Sequence, residues 1–169
     1  MGQLSDYLAE ALKAGRDTMD LTLEGVSPEQ MQMSPGGTAN PISSIYVHAV
    51  RDEDDLISMI VGQPSLWATG WKEKVGGTDE IGLELNDAAK AFKLDRGTFT
   101  PYAAAVAEKS ERIIRGLSDE DLEKTLDFGE MGQPSAKEVI RDYVTWHYGF
   151  HGGEISSQKG VMGLKGVPF

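Results

Sequence analysis

The sequence predicts an all-α protein, a four-helix bundle with one long crossover between its second and third helices. Apolar residues recur at intervals of three and four along four long stretches, and the strict alternation of a half-buried strand is nearly absent. The first and third connections contain short capped turns, whereas the second runs over residues 62–97 without a sustained period. Such an order of elements is typical of a bundle with a single long connection.

The first half of the chain contains two of the predicted long helices. The first spans about residues 4–24 and ends at Gly25, and a short helix then begins at the capping box of residues 27–30. The second long helix spans about residues 41–60. Its inward-facing positions are predicted to be Ile45, His48, Asp52, Leu56 and Met59.

The second half contains the other two. We expect a short helix near residues 84–92 within the crossover, a third long helix over 99–117, and a loop or hairpin over 127–133. The fourth long helix is predicted from residue 136 to about 159, after a serine capping box. Its apolar stripe comprises Val139, Ile140, Tyr143, Val144, His147, Phe150, His151 and Ile155.

Composition limits the class of protein. A chain of 169 residues fits one domain, over residues 1–169, and can bury a substantial core. Its net charge of −11 argues against nucleic-acid partners and against docking on an anionic membrane. The chain has no cysteine, so disulfides, thiolate ligands and cysteine nucleophiles are excluded. With neither a signal-peptide pattern nor an apolar run of membrane-spanning length, we expect a cytoplasmic protein that acts on a small molecule.

The three histidines are the main functional signal. His147 and His151 are four residues apart on one predicted helix, so both rings project from the same face and could share a metal ion. His48 lies on the inward stripe of another helix, which a bundle could place opposite the pair. The residues alone leave two interpretations open: a three-histidine metal site with free coordination positions, or histidines that are hydrogen-bonded in a core.

Two carboxylates lie close to these histidines in the sequence. Asp52 follows His48 by four residues and could be a fourth ligand, an acceptor for an imidazole N–H, or a catalytic general base. The alternative is that Asp52 begins a solvated acidic run over residues 52–55, with Arg51 in a surface ion pair. Glu154 follows His151 by three residues and is a similar candidate acceptor.

Several short motifs, in their order along the chain, resemble those of a known family. They are residues 27–30, 34–37, 40–48, 147–151, 152–155 and 163–169. This order resembles the DinB-like, or YfiT-like, metal-binding superfamily over nearly the whole chain. The resemblance implies an up-down-down-up bundle, a divalent metal, often zinc or nickel, held by His48, His147 and His151, and frequently a homodimer. Characterised relatives include thiol S-transferases that use mycothiol, bacillithiol or glutathione, and a maleylpyruvate isomerase.

The functional hypothesis that follows is a metal-dependent transferase that acts with a low-molecular-weight thiol. The alternatives are a metal-dependent hydrolase, with Asp52 or Glu154 as base, and a non-enzymatic protein that binds a metal or a small ligand. A pocket formed by the crossover over the metal would favour an enzyme, and a sealed site would favour a structural role. Trp67, Trp71 and Phe169 lie outside any predicted core stripe, which suggests an exposed patch and a homodimer. The alternative is that the two tryptophans cap the open end of the bundle.

Overall fold

The structure is a computed structural model that describes residues 2–34, 36–81 and 85–167. The described chain is built from helices and turns, and its β pairing is limited to an isolated antiparallel bridge between Thr125 and Ser135. The all-α class predicted from the sequence is therefore confirmed. Within these ranges, no helix combines the length and the apolarity needed to cross a membrane.

The first three helices are α1 (Gln3–Thr22), α2 (Pro28–Gln32) and α3 (Ile42–Ile60). These bounds agree closely with the predicted ones. The capping box before α2 is present, since the Ser27 hydroxyl accepts from the Gln30 N–H and the Gln30 side chain accepts from the Ser27 N–H.

The crossover between α3 and the next long helix contains more structure than its sequence predicted. It forms a 3₁₀ turn (Trp67–Thr69), α4 (Trp71–Val75) and α5 (Asp87–Ala91). The last of these corresponds to the short helix predicted near residues 84–92, and the other two were not predicted. Trp67 is buried and Trp71 is half-buried. The expectation that both tryptophans lie in an exposed patch is wrong for Trp67, because its indole packs against Tyr102 of the core. The expectation for Phe169 falls outside the described residues.

The second half forms α6 (Arg96–Gly116), α7 (Asp119–Glu123), α8 (Ala136–Glu138), a π-helical turn (Val139–Thr145) and α9 (Trp146–Val161). The last three are continuous and correspond to the predicted fourth helix. Between α7 and α8 the chain forms a hairpin, residues 124–136, in which backbone bonds pair the two sides around a 3₁₀ turn.

The core lies between the long helices. α1 and α3 each pack against both α6 and α9. Gly15 permits the close approach of α1 to the last helix, because a Cβ there would lie 3.3 Å from the Thr145 carbonyl oxygen and 3.4 Å from the Tyr148 Cβ. Most predicted inward positions are buried, but Met59 at the end of α3 is 41% exposed.

The π-helical turn changes which residues of the last helix face the core. A π turn closes i→i+5 bonds and so holds one more residue than an α turn, which shifts the phase of the residues that follow. Tyr148 is consequently buried, whereas Phe150, which a uniform period placed in the apolar stripe, is 67% exposed. His147 and His151 come to lie beside the buried stripe, with partly exposed rings.

The acidic run of α3 is not solvated, contrary to the simpler interpretation of its sequence. Asp52, Glu53 and Asp54 are all buried. Because successive helical positions are rotated by about 100°, each carboxylate reaches a different part of the protein. The Glu53 carboxylate accepts from Arg16 on α1 and, at 2.7 Å, from the Tyr148 hydroxyl.

Asp54 anchors the crossover. Its two carboxylate oxygens accept the backbone N–H groups of Leu66 and Trp67, both at 2.9 Å, and one of them also accepts the Tyr102 hydroxyl. Arg51, expected in a surface ion pair, is also buried, with its guanidinium paired to Asp55 and stacked 4.7 Å from the Trp67 ring. These contacts fix the middle of α3, the segment that carries His48 and Asp52.

Candidate metal centre

The three histidines converge at one place. His48 comes from α3, and His147 and His151 come from the first turns of α9. One nitrogen of each ring lies within 4.8 Å of the others, and the Nε2 atoms of His147 and His151 are 2.8 Å apart. The structure thus brings together all three residues of the predicted site, and this group could hold a metal ion.

The donor set fits a divalent ion of ordinary size. Imidazole nitrogens bind zinc at about 2.0–2.1 Å, so two of them are about 3.0–3.4 Å apart around a tetrahedral or octahedral ion. The 2.8 Å separation of His147 and His151 is close to this range, and no separation in the group exceeds 4.8 Å. Small side-chain rotations would therefore suffice to place three nitrogens around one ion.

Carboxylates lie behind all three rings. Asp52 reaches two of them, with Oδ1 3.3 Å from His48 Nδ1 and Oδ2 3.4 Å from His147 Nδ1. Glu154 Oε2 lies 3.0 Å from His151 Nδ1. A carboxylate that accepts from one ring nitrogen fixes the tautomer and leaves the other nitrogen free to bind a metal.

This arrangement leaves two lone pairs facing each other. If the Nδ1 atoms of His147 and His151 donate to their carboxylates, both Nε2 atoms present a lone pair across 2.8 Å. Lone pairs at that distance repel each other unless a proton or a cation lies between them. A metal ion bound by these two nitrogens would remove the repulsion.

The pKa shifts of Asp52 and His147 indicate that the centre would favour an added cation. The pKa of the Asp52 carboxyl is raised to about 8, chiefly by burial and then by the charge of Asp55, against the lowering effect of Arg51. Burial, followed by the charges of His151 and His48, lowers the pKa of His147 to about 3. A divalent cation would favour both an ionised Asp52 and neutral imidazoles, the protonation states that ligation requires.

The centre is reached from solvent through a cleft of about 630 Å³. The side chains that line it are Asp52, Leu56, Met59, Asp127, Phe128, Met131, Asp142, Tyr143, His147 and Phe150. None of the described residues of the crossover lines this cleft, so a pocket formed by the crossover over the metal, which would have favoured an enzyme, is not found among them. The hairpin lines the cleft instead, through Asp127, Phe128 and Met131, in the segment for which the sequence predicts a loop or hairpin.

Comparisons with known proteins indicate the fold. No family model matches the chain, and no curated protein matches it. A solved structure described as the conserved protein of locus from Enterococcus faecalis is similar, with a TM-score of 0.78 and 18% sequence identity over 96% of this chain and 99% of that chain. At that identity the likeness supports a shared fold.

Proposed function

We propose that this chain is a DinB-like protein in which His48, His147 and His151 bind one divalent ion, zinc or nickel. We also propose that its long helices run up-down-down-up as a four-helix bundle. The pairwise packing of α1 and α3 against α6 and α9 supports the bundle, and the order of the short motifs supports the family. The observation that carries the metal proposal is the convergence of three imidazoles, each backed by a carboxylate.

The proposed activity is the transfer of a low-molecular-weight thiol to an electrophilic carbon. A divalent ion held by three protein ligands keeps open positions, and as a Lewis acid it would lower the pKa of a thiol bound there. The chain has no cysteine, so the thiol has to come from solution. The open cleft beside His147 supports this proposal over a sealed structural site.

Asp52 has a positioning role in this proposal. Its two oxygens face the Nδ1 atoms of two different histidines, and its side chain is only 11% exposed. A carboxylate in this position orients the two rings and keeps their Nδ1 atoms protonated, so that the Nε2 atoms are available to a metal. The general-base role for Asp52 stays a prediction, which the kinetics of an Asp52→Asn variant would test with the metal content matched.

The experiment is a thiol panel against a model electrophile. The protein is purified without nickel affinity, stripped of metal, and reconstituted with zinc or nickel. Conjugation of 1-chloro-2,4-dinitrobenzene is then followed with neutral, cationic and anionic thiols. We expect a rate above background that requires metal and is lost in His48→Ala, while Trp146→Ala, a neighbour of the site that is 59% exposed, retains it.

Two outcomes would count against the transferase. If no thiol–electrophile pair reacts faster than background with metal-replete protein, the same centre is better explained as a hydrolase or as a binding protein. If His48→Ala and the wild type react at equal rates, the histidines are not the site of the reaction.

A further inference from the structure

The cleft beside the metal centre exposes several large apolar side chains. Three of its large apolar side chains are unusually exposed: Met59 is 41% exposed, Phe150 67% and Met131 69%. Soluble proteins seldom expose large apolar side chains together in one concave surface unless a ligand covers them. The cleft therefore needs an occupant that is largely apolar.

Aromatic rings form part of the cleft wall. Phe128 of the hairpin and Tyr143 of the π-helical turn pack edge to face, with ring centroids 5.1 Å apart. Phe150 lies in the first turns of α9, with its ring centroid 6.3 Å from that of Trp146. The faces of such rings attract positive charge and bind ammonium groups in other proteins.

The charges of the cleft have one sign. Among the described residues that line it, none is a lysine or an arginine, and the carboxylates that lie away from the histidines are Asp127 and Asp142. Arg141 pairs with both oxygens of Asp142 at 2.6 Å and offsets that charge. The exposed Asp127 carboxylate accepts the Gly129 N–H at 2.9 Å, which fixes one of its oxygens within the hairpin. An anionic occupant would face these carboxylates with no basic side chain to bind it.

We propose that this cleft binds a small apolar molecule that carries a protonated amine, with the amine near Asp127 and the aromatic walls. The inference rests on the proposed function in treating the cleft as the substrate site of the metal centre, but its binding chemistry does not require the metal. For the substrate of the centre, it predicts an apolar group that carries a protonated amine at the end that lies beside Asp127.

The test uses three probes that share a benzyl or phenyl group and differ in charge: benzylamine, benzyl alcohol and benzoate. Each is titrated into metal-free, full-length protein and followed by amide chemical shifts. We expect benzylamine to bind about threefold more tightly than benzyl alcohol, and benzyl alcohol about threefold more tightly than benzoate, as for exposed charge pairs. The shifts should map to the hairpin and to the first turns of α9.

Matched variants assign the effect to the cleft. Asp127→Asn should remove the preference for the amine, whereas Glu10→Gln, the same charge change on α1, should retain it, because α1 does not line the cleft. Phe150→Ala should weaken all three probes roughly fivefold by removing apolar contact. Val161→Ala, at a residue that is 83% exposed and outside the cleft, should leave them unchanged.

The inference is overturned if benzoate binds as tightly as benzylamine, or if neither Asp127→Asn nor Phe150→Ala changes binding. It is also overturned if no probe binds and Phe150→Ala converts a dimer to a monomer, since a second copy of the chain would then cover the cleft. Zinc binding by the same samples separates the two proposals. Zinc bound without probe selectivity refutes this inference alone, and probe selectivity without zinc binding refutes the metal centre alone.

Discussion

Replacing Asp52 by asparagine should have opposite effects on the metal-free and the metal-bound protein. Without a metal, the folded state holds a buried carboxyl whose pKa is raised to about 8 from an ordinary value of 3.8. Keeping that group protonated at pH 7 costs about 4 kcal/mol of folding free energy by linkage. An asparagine amide of the same shape carries no such cost. It has one acceptor oxygen where the carboxyl group has two, and we expect the lost acceptor to reduce the gain in stability by about 1 kcal/mol.

The sign follows from the direction of the pKa shift. A raised carboxyl pKa means that the wild type keeps its full stability below about pH 4 and loses it as the pH rises towards 8. Asp52→Asn should therefore match the wild type near pH 4 and exceed it by about 3 kcal/mol at pH 7. For a domain of this size, such a change raises Tm by roughly 6–12 °C.

With metal bound, the effect reverses. A divalent ion favours the ionised carboxylate, and the two oxygens of Asp52 lie 3.3 and 3.4 Å from the Nδ1 atoms of two ligand rings, so its loss should weaken metal affinity about 10- to 100-fold. Thermal melts of chelated protein over pH 4–8, and competition titrations with a metal indicator, measure the two effects separately. Glu154→Gln is the matched control, because Glu154 contacts one ring only and its side chain is 34% exposed.

The reasoning about Asp52 would be refuted by either of two results. One is that the chelated Asp52→Asn protein gains no stability relative to the wild type between pH 4 and pH 7. The other is that its metal affinity equals that of the wild type. A variant with unchanged metal affinity but a rate lowered about 10²- to 10⁴-fold would instead support the general-base role.

Three further predictions concern metal and assembly. Chelation should lower Tm without unfolding the protein at room temperature, because the bundle has its own apolar core. A ligand at 100 times its Kd adds about 2.7 kcal/mol to the free energy of unfolding. Equal Tm values with and without chelator would contradict this coupling. Acidification should release the metal as the ligating imidazoles become protonated, and dialysis at stepped pH that leaves it bound at pH 4 would argue against histidine ligation. We also expect a homodimer, and light scattering at micromolar concentration that gives a mass near 18.3 kDa would exclude a stable one.

Periodicity was sufficient to predict the long helices and the placement of the histidines. His48 lies on the inward-facing side of α3. His147 and His151 both lie on α9, so their rings project from the same face, as their spacing of four residues predicts. It failed for Phe150, because a uniform period cannot anticipate the π-helical turn that precedes α9.

The acidic run could not be interpreted from local sequence. Consecutive carboxylates are ordinarily solvated, and the partners that bury these ones are distant in the chain. Glu53 pairs with Arg16, 37 residues away, and Asp54 lies 3.5 Å from the ammonium of Lys109 on α6. The contribution of the hairpin to the cleft was missed for the same reason, since Phe128 and Met131 have no periodic pattern to place them.

The metal content of purified protein tests the central proposal most directly. Protein made without nickel affinity and equilibrated with zinc should contain roughly one ion per chain by elemental analysis. His48→Ala, His147→Ala and His151→Ala should each lose most of it, and Trp146→Ala should retain it. A folded His147→Ala protein whose metal content equals that of the wild type would contradict the three-histidine centre.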